Sequence, residues 1–335
     1  MMILYIASIL AILLSFISTY ISLRYYIKFA ILHGITGKDI HKPNQPDVAE
    51  MGGICIVVSI IVGLVFLFPF IQENNFKVKV LSVILTLIII AIVGFIDDLK
   101  TLSAFKKTVL TFFGGIPLLF LKAYYPYIKL PFAGFARLHY VYPFLIPLAI
   151  AVTSNAVNMM DVFNGVMPLT SLIVLTCIAL TAIINGHFNE LIICLVVMAS
   201  LIAYLPYNKY PAKVFPGDIG SLSVGALIGV LSIICKAEVV AFIAFMPFIL
   251  NGFHTLMSIH GLRERAEIIR PTIINEEYKL EINKNPEAPI VLASLFLING
   301  PADEKTLIKC YIVIALFSAL LALLTMYLMY MVGMC

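Results

Sequence analysis

Charge is absent from residues 2–23 of this 335-residue chain, and apolar stretches of similar length return throughout it. They fall at about 3–30, 52–71, 80–96, 107–122, 141–157, 165–185, 189–206, 220–235, 238–258 and 308–332. A helix needs roughly 20 apolar residues to cross the hydrocarbon of a bilayer, where no water can satisfy a free backbone group. The pattern therefore predicts an all-α polytopic membrane protein with ten transmembrane helices. The run at 141–157 carries Pro143 and Pro147, which membrane helices tolerate when neighbours satisfy the freed carbonyls. Only 12% of residues are charged and mean hydropathy is +1.06, whereas a soluble domain carries about a quarter charged residues. The first run lacks the leading charge, shortness and small-residue cleavage site of a signal peptide, so it reads as the first span. Residues 1–335 form one membrane-embedded domain, with a last loop at 259–307.

Ten spans put both termini on one side. Of the 22 Lys and Arg, one side keeps Lys77, Lys79, Lys122, Lys129, Arg137 and Lys236, and the other holds the remaining 16. Positive charge gathers in the cytoplasm, so the connections at 33–51, 97–106, 158–164, 207–219 and 259–307 read as cytosolic and the termini as outside. The acids split more sharply, with only Glu73, Glu190 and Glu238 outside. The orientation rule does not count acids, so function is the simplest cause of that excess.

Four polar clusters fall on the cytosolic side. Asp97 and Asp98 end an apolar run, where the helix dipole disfavours anions. Adjacent carboxylates there suit a divalent cation, and Lys107 close by suits a phosphate. Asn155, Asn158 and Asp161 recur at i+3 along one side of a helix end. Such amides can glue helices together or offer oxygens to a hard cation. Asp218 follows Pro216-Gly217, reads on its own as the N-cap of the next helix, and is also placed for an anion site. Phe215 before it suits apolar packing or a stacked base. Arg263 and Arg265 point the same way in an extended segment and have the planar fork that binds phosphate oxygens; with Glu264 between them they also allow a surface charge network. Alternation at Tyr278, Leu280 and Ile282 predicts a small β-hairpin in the last cytosolic loop. The six histidines and six cysteines show no metal-ligand spacing, and the net charge of +4 implies no nucleic-acid partner.

In this order the clusters resemble the polyprenyl-phosphate N-acetylhexosamine-1-phosphate transferase superfamily, over nearly the whole chain. Gly37-Lys-Asp-Ile-His-Lys ahead of Glu50, and Arg263-Glu-Arg265 ahead of the hairpin, resemble its dolichyl-phosphate GlcNAc-1-phosphate transferase branch in eukaryotes and archaea. The cell-wall branch usually has Asp-Gly twice in the second motif, where this chain has Asp161-Val162 and then Asn164-Gly165. The resemblance implies a multi-pass cell-membrane enzyme with a cytoplasmic site, UDP-GlcNAc and polyprenyl or dolichyl phosphate as substrates, and a homodimer. It implies Mg²⁺ (or Mn²⁺) held by Asp218 and Asn158, with Phe215 stacked on uracil. Asn164 and the backbone near Ile40 and Glu50 would read the uracil edge. Lys107 would hold phosphate, Arg263 and Arg265 would face the pyrophosphate and sugar, and Asp97 and Asp98 would sit where the lipid phosphate meets the β-phosphorus. Asn155 and Asp161 would line the substrate site, Asp161 with no assigned role.

Two rivals stay open at this point: a cell-wall-type transferase using another UDP-N-acetyl sugar, and an ion-coupled transporter. A transporter predicts carboxylates near the bilayer midplane on broken helices, whereas these sit at helix ends on one side.

Overall fold

In the computed structural model, which describes residues 2–42, 44–131, 133–261 and 268–331, the chain forms an all-α bundle with three two-stranded antiparallel sheets. In chain order the elements are α1 (Met2–Leu32), β1 (Thr36–Lys38), β2 (Asp47–Ala49), α2 (Gly53–Leu67), α3 (Asn74–Leu99), α4 (Ala104–Phe112) and α5 (Ile116–Phe120). There follow β3 (Tyr127–Leu130), β4 (Gly134–Arg137), α6 (Tyr142–Met160), α7 (Val166–Ile184), α8 (Phe188–Asn208) and α9 (Gly217–Ile234). The last are α10 (Glu238–Ala244), α11 (Met246–Ser258), β5 (Thr272–Ile274), β6 (Leu280–Ile282), α12 (Leu292–Phe296) and α13 (Glu304–Met331).

Among the described residues, eight helices are each long and apolar enough to cross a membrane, namely α1, α2 with its 3-10 extension, α3, α6, α7, α8, α9 and α13. The chain is a multi-pass membrane protein. The expected span at 238–258 is α10 and α11, bent by 60° where Pro247 opens the second helix; proline removes the amide hydrogen that would continue the ladder. The expected span at 107–122 is not one helix. It comes as α4, a 3-10 turn over Phe113–Gly115, and α5, because Gly114-Gly115 followed by Pro117 is poor helical sequence. The segment still runs from one polar end of the bundle to the other. Lys107 near its start contacts Asp97 at the end of α3, and Tyr125 beyond its finish contacts Asn75 at the start of α3.

Helix α9 lies at the centre, buried along nearly its whole length between α3 and α6. Its sequence, Gly-Asp-Ile-Gly-Ser-Leu-Ser-Val-Gly-Ala, is small enough to let backbones meet, as membrane interfaces require where lipid offers no hydrophobic drive. A Cβ on Gly94 of α3 would stand 2.5 Å from the Ile219 Cα, so that contact admits only glycine. It draws the last turn of α3 onto the first turn of α9. The expected hairpin is present as β5–β6, with Thr272 opposite Ile282. Tyr278 lies in its turn at φ 60 rather than in a strand, and the Asn275 carbonyl oxygen of the side chain accepts from Glu277 N–H and Lys279 N–H there.

Candidate active site

Neighbouring residues on a helix point about 100° apart, and Asp97 and Asp98 are divided by that rotation. Asp98 aims at α9, where its two carboxylate oxygens accept the N–H of Asp218 at 2.7 Å and of Ile219 at 3.0 Å. These are orphan donors of the first helical turn, carrying the positive end of the dipole. Asp98 is therefore the cap of α9. The reading of Asp218 as its own N-cap is corrected: Pro216 occupies that position without a side-chain bond, and Asp218 lies inside the first turn. Gly217, at φ +67, makes the arrangement possible, since a Cβ there would stand 2.7 Å from Asp98 Oδ2.

Freed from capping, Asp218 turns to α4. Ser103 caps that helix and Lys107 follows one turn in. The Lys107 ammonium lies 2.7 Å from Asp97 Oδ2, 3.0 Å from Asp218 Oδ2 and 3.0 Å from Asn158 Oδ1. Because Asn158 turns its oxygen to Lys107, its Nδ2 donates to Asp218 Oδ1 and to Ser221 Oγ. The other Asp97 oxygen accepts from Leu102 N–H at 2.6 Å. Four elements thus meet through side chains separated by 111 residues between Lys107 and Asp218. Asp97 is buried at 7% exposure, and a partner is required for a charge so placed.

The donor set is oxygen-only, two carboxylates and an amide converging on one cation. Among the described residues there is no group of three or more His, Cys, Asp or Glu side chains able to cage a metal alone. Magnesium does not need one, since it is commonly held by one or two carboxylates with waters and substrate phosphates. Asp218 and Asn158 fit such an ion.

A second group forms around Asn164, which is 4% exposed. Its Oδ1 accepts from Lys42 Nζ at 3.0 Å and from Ala212 N–H at 2.9 Å, and its own N–H donates to Glu304 Oε1 at 3.2 Å. Gly165 N–H reaches Asn208 Oδ1 at 3.1 Å, and Asn208 Nδ2 reaches the Val214 carbonyl at 2.9 Å. The turn is sewn in this way to the segment leading into Phe215. Phe215 is half-buried and stitched to the loop before α2: its N–H donates to the Ala49 carbonyl, and Gly52 N–H donates back to the Phe215 carbonyl. Glu50 is exposed, with its carbonyl bonded by Tyr26, and Ile40 is half-buried beyond β1. Met51 comes close to Gly217, so the loop between α1 and α2 borders the Asp98 end of the site.

Asn155 and Asp161 do not join the Lys107 group as one face with Asn158. Asn155 gives its Nδ2 to Thr111 Oγ1 and the Ala151 carbonyl, fastening α6 to α4. Asp161 ends α6, its N–H bonded to the Asn158 carbonyl. Arg263 and Arg265 lie outside the described residues. Sequence reasoning included Asp39 and Lys42 in the Gly37-Lys-Asp-Ile-His-Lys stretch without giving them a role, and passed over Glu304. Lys42 and Glu304 hold Asn164, and Asp39 holds Lys42. For Glu304 the one signal was the excess of acid on that side.

Fold and site together define a class, a multi-pass membrane protein with a phosphate-suited cluster of carboxylate, amide and ammonium at one end of its bundle. Residues 80–236, which include the stretch from Asp97 to Asp218, match Glycosyl transferase family 4. Over 250 residues the chain is 32% identical to a Saccharolobus solfataricus protein, covering 73% of this chain and 76% of that one. That protein is provisionally named a UDP-N-acetylglucosamine–dolichyl-phosphate N-acetylglucosaminephosphotransferase. A phospho-N-acetylmuramoyl-pentapeptide-transferase of Streptococcus agalactiae is 29% identical over 263 residues, covering 71% of this chain and 76% of that one. The chain belongs to glycosyl transferase family 4, the polyprenyl-phosphate N-acetylhexosamine-1-phosphate transferase superfamily, and is a transferase.

Proposed function

We propose that this protein transfers N-acetylglucosamine 1-phosphate from UDP-GlcNAc to a polyprenyl phosphate of the dolichyl type. UMP leaves and GlcNAc-diphospho-polyprenol forms, as a first membrane step of glycan assembly such as N-glycosylation. The site faces the cytoplasm in this reading, as the distribution of Lys and Arg supports. The observation that carries the proposal is the Lys107 ammonium, held within about 3 Å of Asp97, Asn158 and Asp218. Names of relatives such as the Saccharolobus protein support the choice of donor and acceptor.

The chemistry asks two anions to meet. A phosphate monoester has its second pKa near 6 and is mostly dianionic at neutral pH, so the acceptor needs little help from a base. An oxygen of the lipid phosphate forms its bond to the β-phosphorus of UDP-GlcNAc while the bond to the bridging oxygen breaks, and the electron pair leaves with UMP. Lys107 offers positive charge to the phosphates, and Asp97 and Asp218 hold it in place. Asp218 and Asn158 would hold Mg²⁺ or Mn²⁺, which when bound supplies Lewis-acid neutralisation of the donor pyrophosphate. Both oxygens of Asp97 are engaged, one by Leu102 N–H and one by Lys107. That favours direct displacement over attack by Asp97 on phosphorus. Phe215 stacks on the uracil in this reading, and Arg263 and Arg265 face the pyrophosphate and sugar.

Mass spectrometry of the lipid formed by purified protein from UDP-GlcNAc and dolichyl phosphate tests the proposal. The expected product carries one GlcNAc on a diphosphate. Product from UDP-N-acetylmuramoyl-pentapeptide, with none from UDP-GlcNAc, would overturn it.

A further inference from the structure

We propose that Glu304 and Lys42 are positioning residues that lock the orientation of the Asn164 amide and thereby set the choice of nucleobase. Neither residue falls within the stretch that matches the family. They stand 262 positions apart in the chain and meet only because the first turn of α13 packs against the loop after α1.

The lock is built from obligate donors and acceptors. Lys42 Nζ lies 2.9 Å from Asp39 Oδ2, 2.5 Å from Glu304 Oε2 and 3.0 Å from Asn164 Oδ1. An ammonium has three N–H donors and no acceptor, so these three oxygens use it fully. It also lies 4.4 Å from the centroid of the Tyr210 ring. Asp39 and Glu304 are buried, and a buried carboxylate without its cation is costly, which holds Lys42 where it is. The other Glu304 oxygen takes the Asn164 N–H, and so grips the residue at its backbone while Lys42 grips it at its side chain.

The consequence falls on the amide. Lys42 and Ala212 N–H can only donate, so Asn164 must turn its oxygen to them. Among the described residues Asn164 Nδ2 has no acceptor. A locked Asn164 therefore offers a donor and no acceptor. Uracil presents a carbonyl oxygen at C4 where cytosine presents an amine. A free asparagine would flip to suit either base; a locked one opposes donor to donor with cytosine. Sites that leave a buried polar group unpaired discriminate strongly. This inference rests on the uridine-nucleotide reading above, and Asn164 is there the residue that touches the base.

Calorimetric binding of UMP and CMP to the purified full chain separates the outcomes. Wild type should bind UMP more tightly than CMP. Glu304→Gln keeps the shape but loses the charge that holds Lys42, and should weaken UMP about tenfold while changing CMP little. In an Asn164→Ala background the same change should cost nothing further, the coupling expected when one residue acts through another. Asp39→Asn, which does not touch Asn164, should move the preference in the same direction. Unchanged UMP affinity in folded Glu304→Gln, or full additivity with Asn164→Ala, would overturn the lock and leave the transferase reading standing. A wild type that binds no UMP would bring down the uridine reading and this inference with it.

Discussion

At the end of the bundle away from the site, Lys79 meets Glu190 and Lys236 meets Glu238, one ammonium to one carboxylate. At the site end Lys107 is shared by Asp97 and Asp218, and Lys42 by Asp39 and Glu304. The far end is closed on itself. Lys236 also donates to the Tyr125 and Tyr127 carbonyls and lies 4.3 Å from the Tyr127 ring centroid, Tyr142 adds its hydroxyl to Glu238, and Glu73 takes Asn189. Burial holds the Lys236 pKa below its ordinary value, against the pull of Glu238. Such a network fastens α3, α6, α8, α10 and the β3–β4 hairpin, with Lys79 and Lys236 each paired inside it. In the two site-end clusters four carboxylates share two ammonium groups, and an excess of that sign suits a further cation. Matching at one end builds a scaffold, and mismatch at the other leaves room for chemistry.

The sharpest way to break this contrast is Asp218→Ala. Turnover should fall at least about a hundredfold, as when a group aimed at transition-state charge is removed, and wild-type turnover should require Mg²⁺ or Mn²⁺. Full turnover in EDTA would show that the surplus carboxylate serves no metal. Asp97→Asn should cost less, about tenfold to a hundredfold, with part of the loss recovered as pH rises above the acceptor's second pKa near 6. Exchange of labelled UMP into UDP-GlcNAc without lipid is the companion measurement. The wild type should show none, because single displacement forms no covalent phosphosugar.

Lys79→Met tests the other end. Breaking a buried ion pair costs about 3–5 kcal/mol, so the melting temperature should drop while turnover per folded molecule stays near that of wild type. Lost turnover at an unchanged melting temperature would mean that the far end is more than scaffold. The smallest effect belongs to His41, whose ring centroid lies 4.7 Å from that of Phe163. Burial pushes its pKa down from 6.5 to about 4, with Asp39 pulling the other way. The unfolded chain then takes up the proton first. Stability is unaffected above pH 6.5 and is lost as pH falls from there toward 4, by at most about 1.4 kcal/mol per unit. Thermal melts across that range should show a shallower decline in His41→Phe than in wild type.

Apolar length alone determined that the chain crosses its bundle repeatedly, because a bilayer admits only segments long enough to span it and bonded within themselves. Period-two alternation likewise marked the β5–β6 hairpin, and the order of the four polar clusters carried the resemblance. Apolar length and alternation are local properties, and cluster order needs only the linear chain. The division of labour between Asp97 and Asp98 was not. Helical rotation says that two neighbours diverge, but only the glycine contact of α3 on α9 decides that one caps a helix and the other holds Lys107. For the same reason Asp218 looked like a cap, since Pro216-Gly217 before it is what a helix start resembles; the cap came from 120 residues away. Asn155 and Asn158, alike in sequence and one turn apart, were separated by what faces them, Thr111 for one and Lys107 for the other. Glu304 carried no motif at all, and acquired its partners only when α13 closed against the loop after α1. A side chain's type is fixed in the sequence. Its partner is fixed by which backbones can approach, and that is a property of the packed whole.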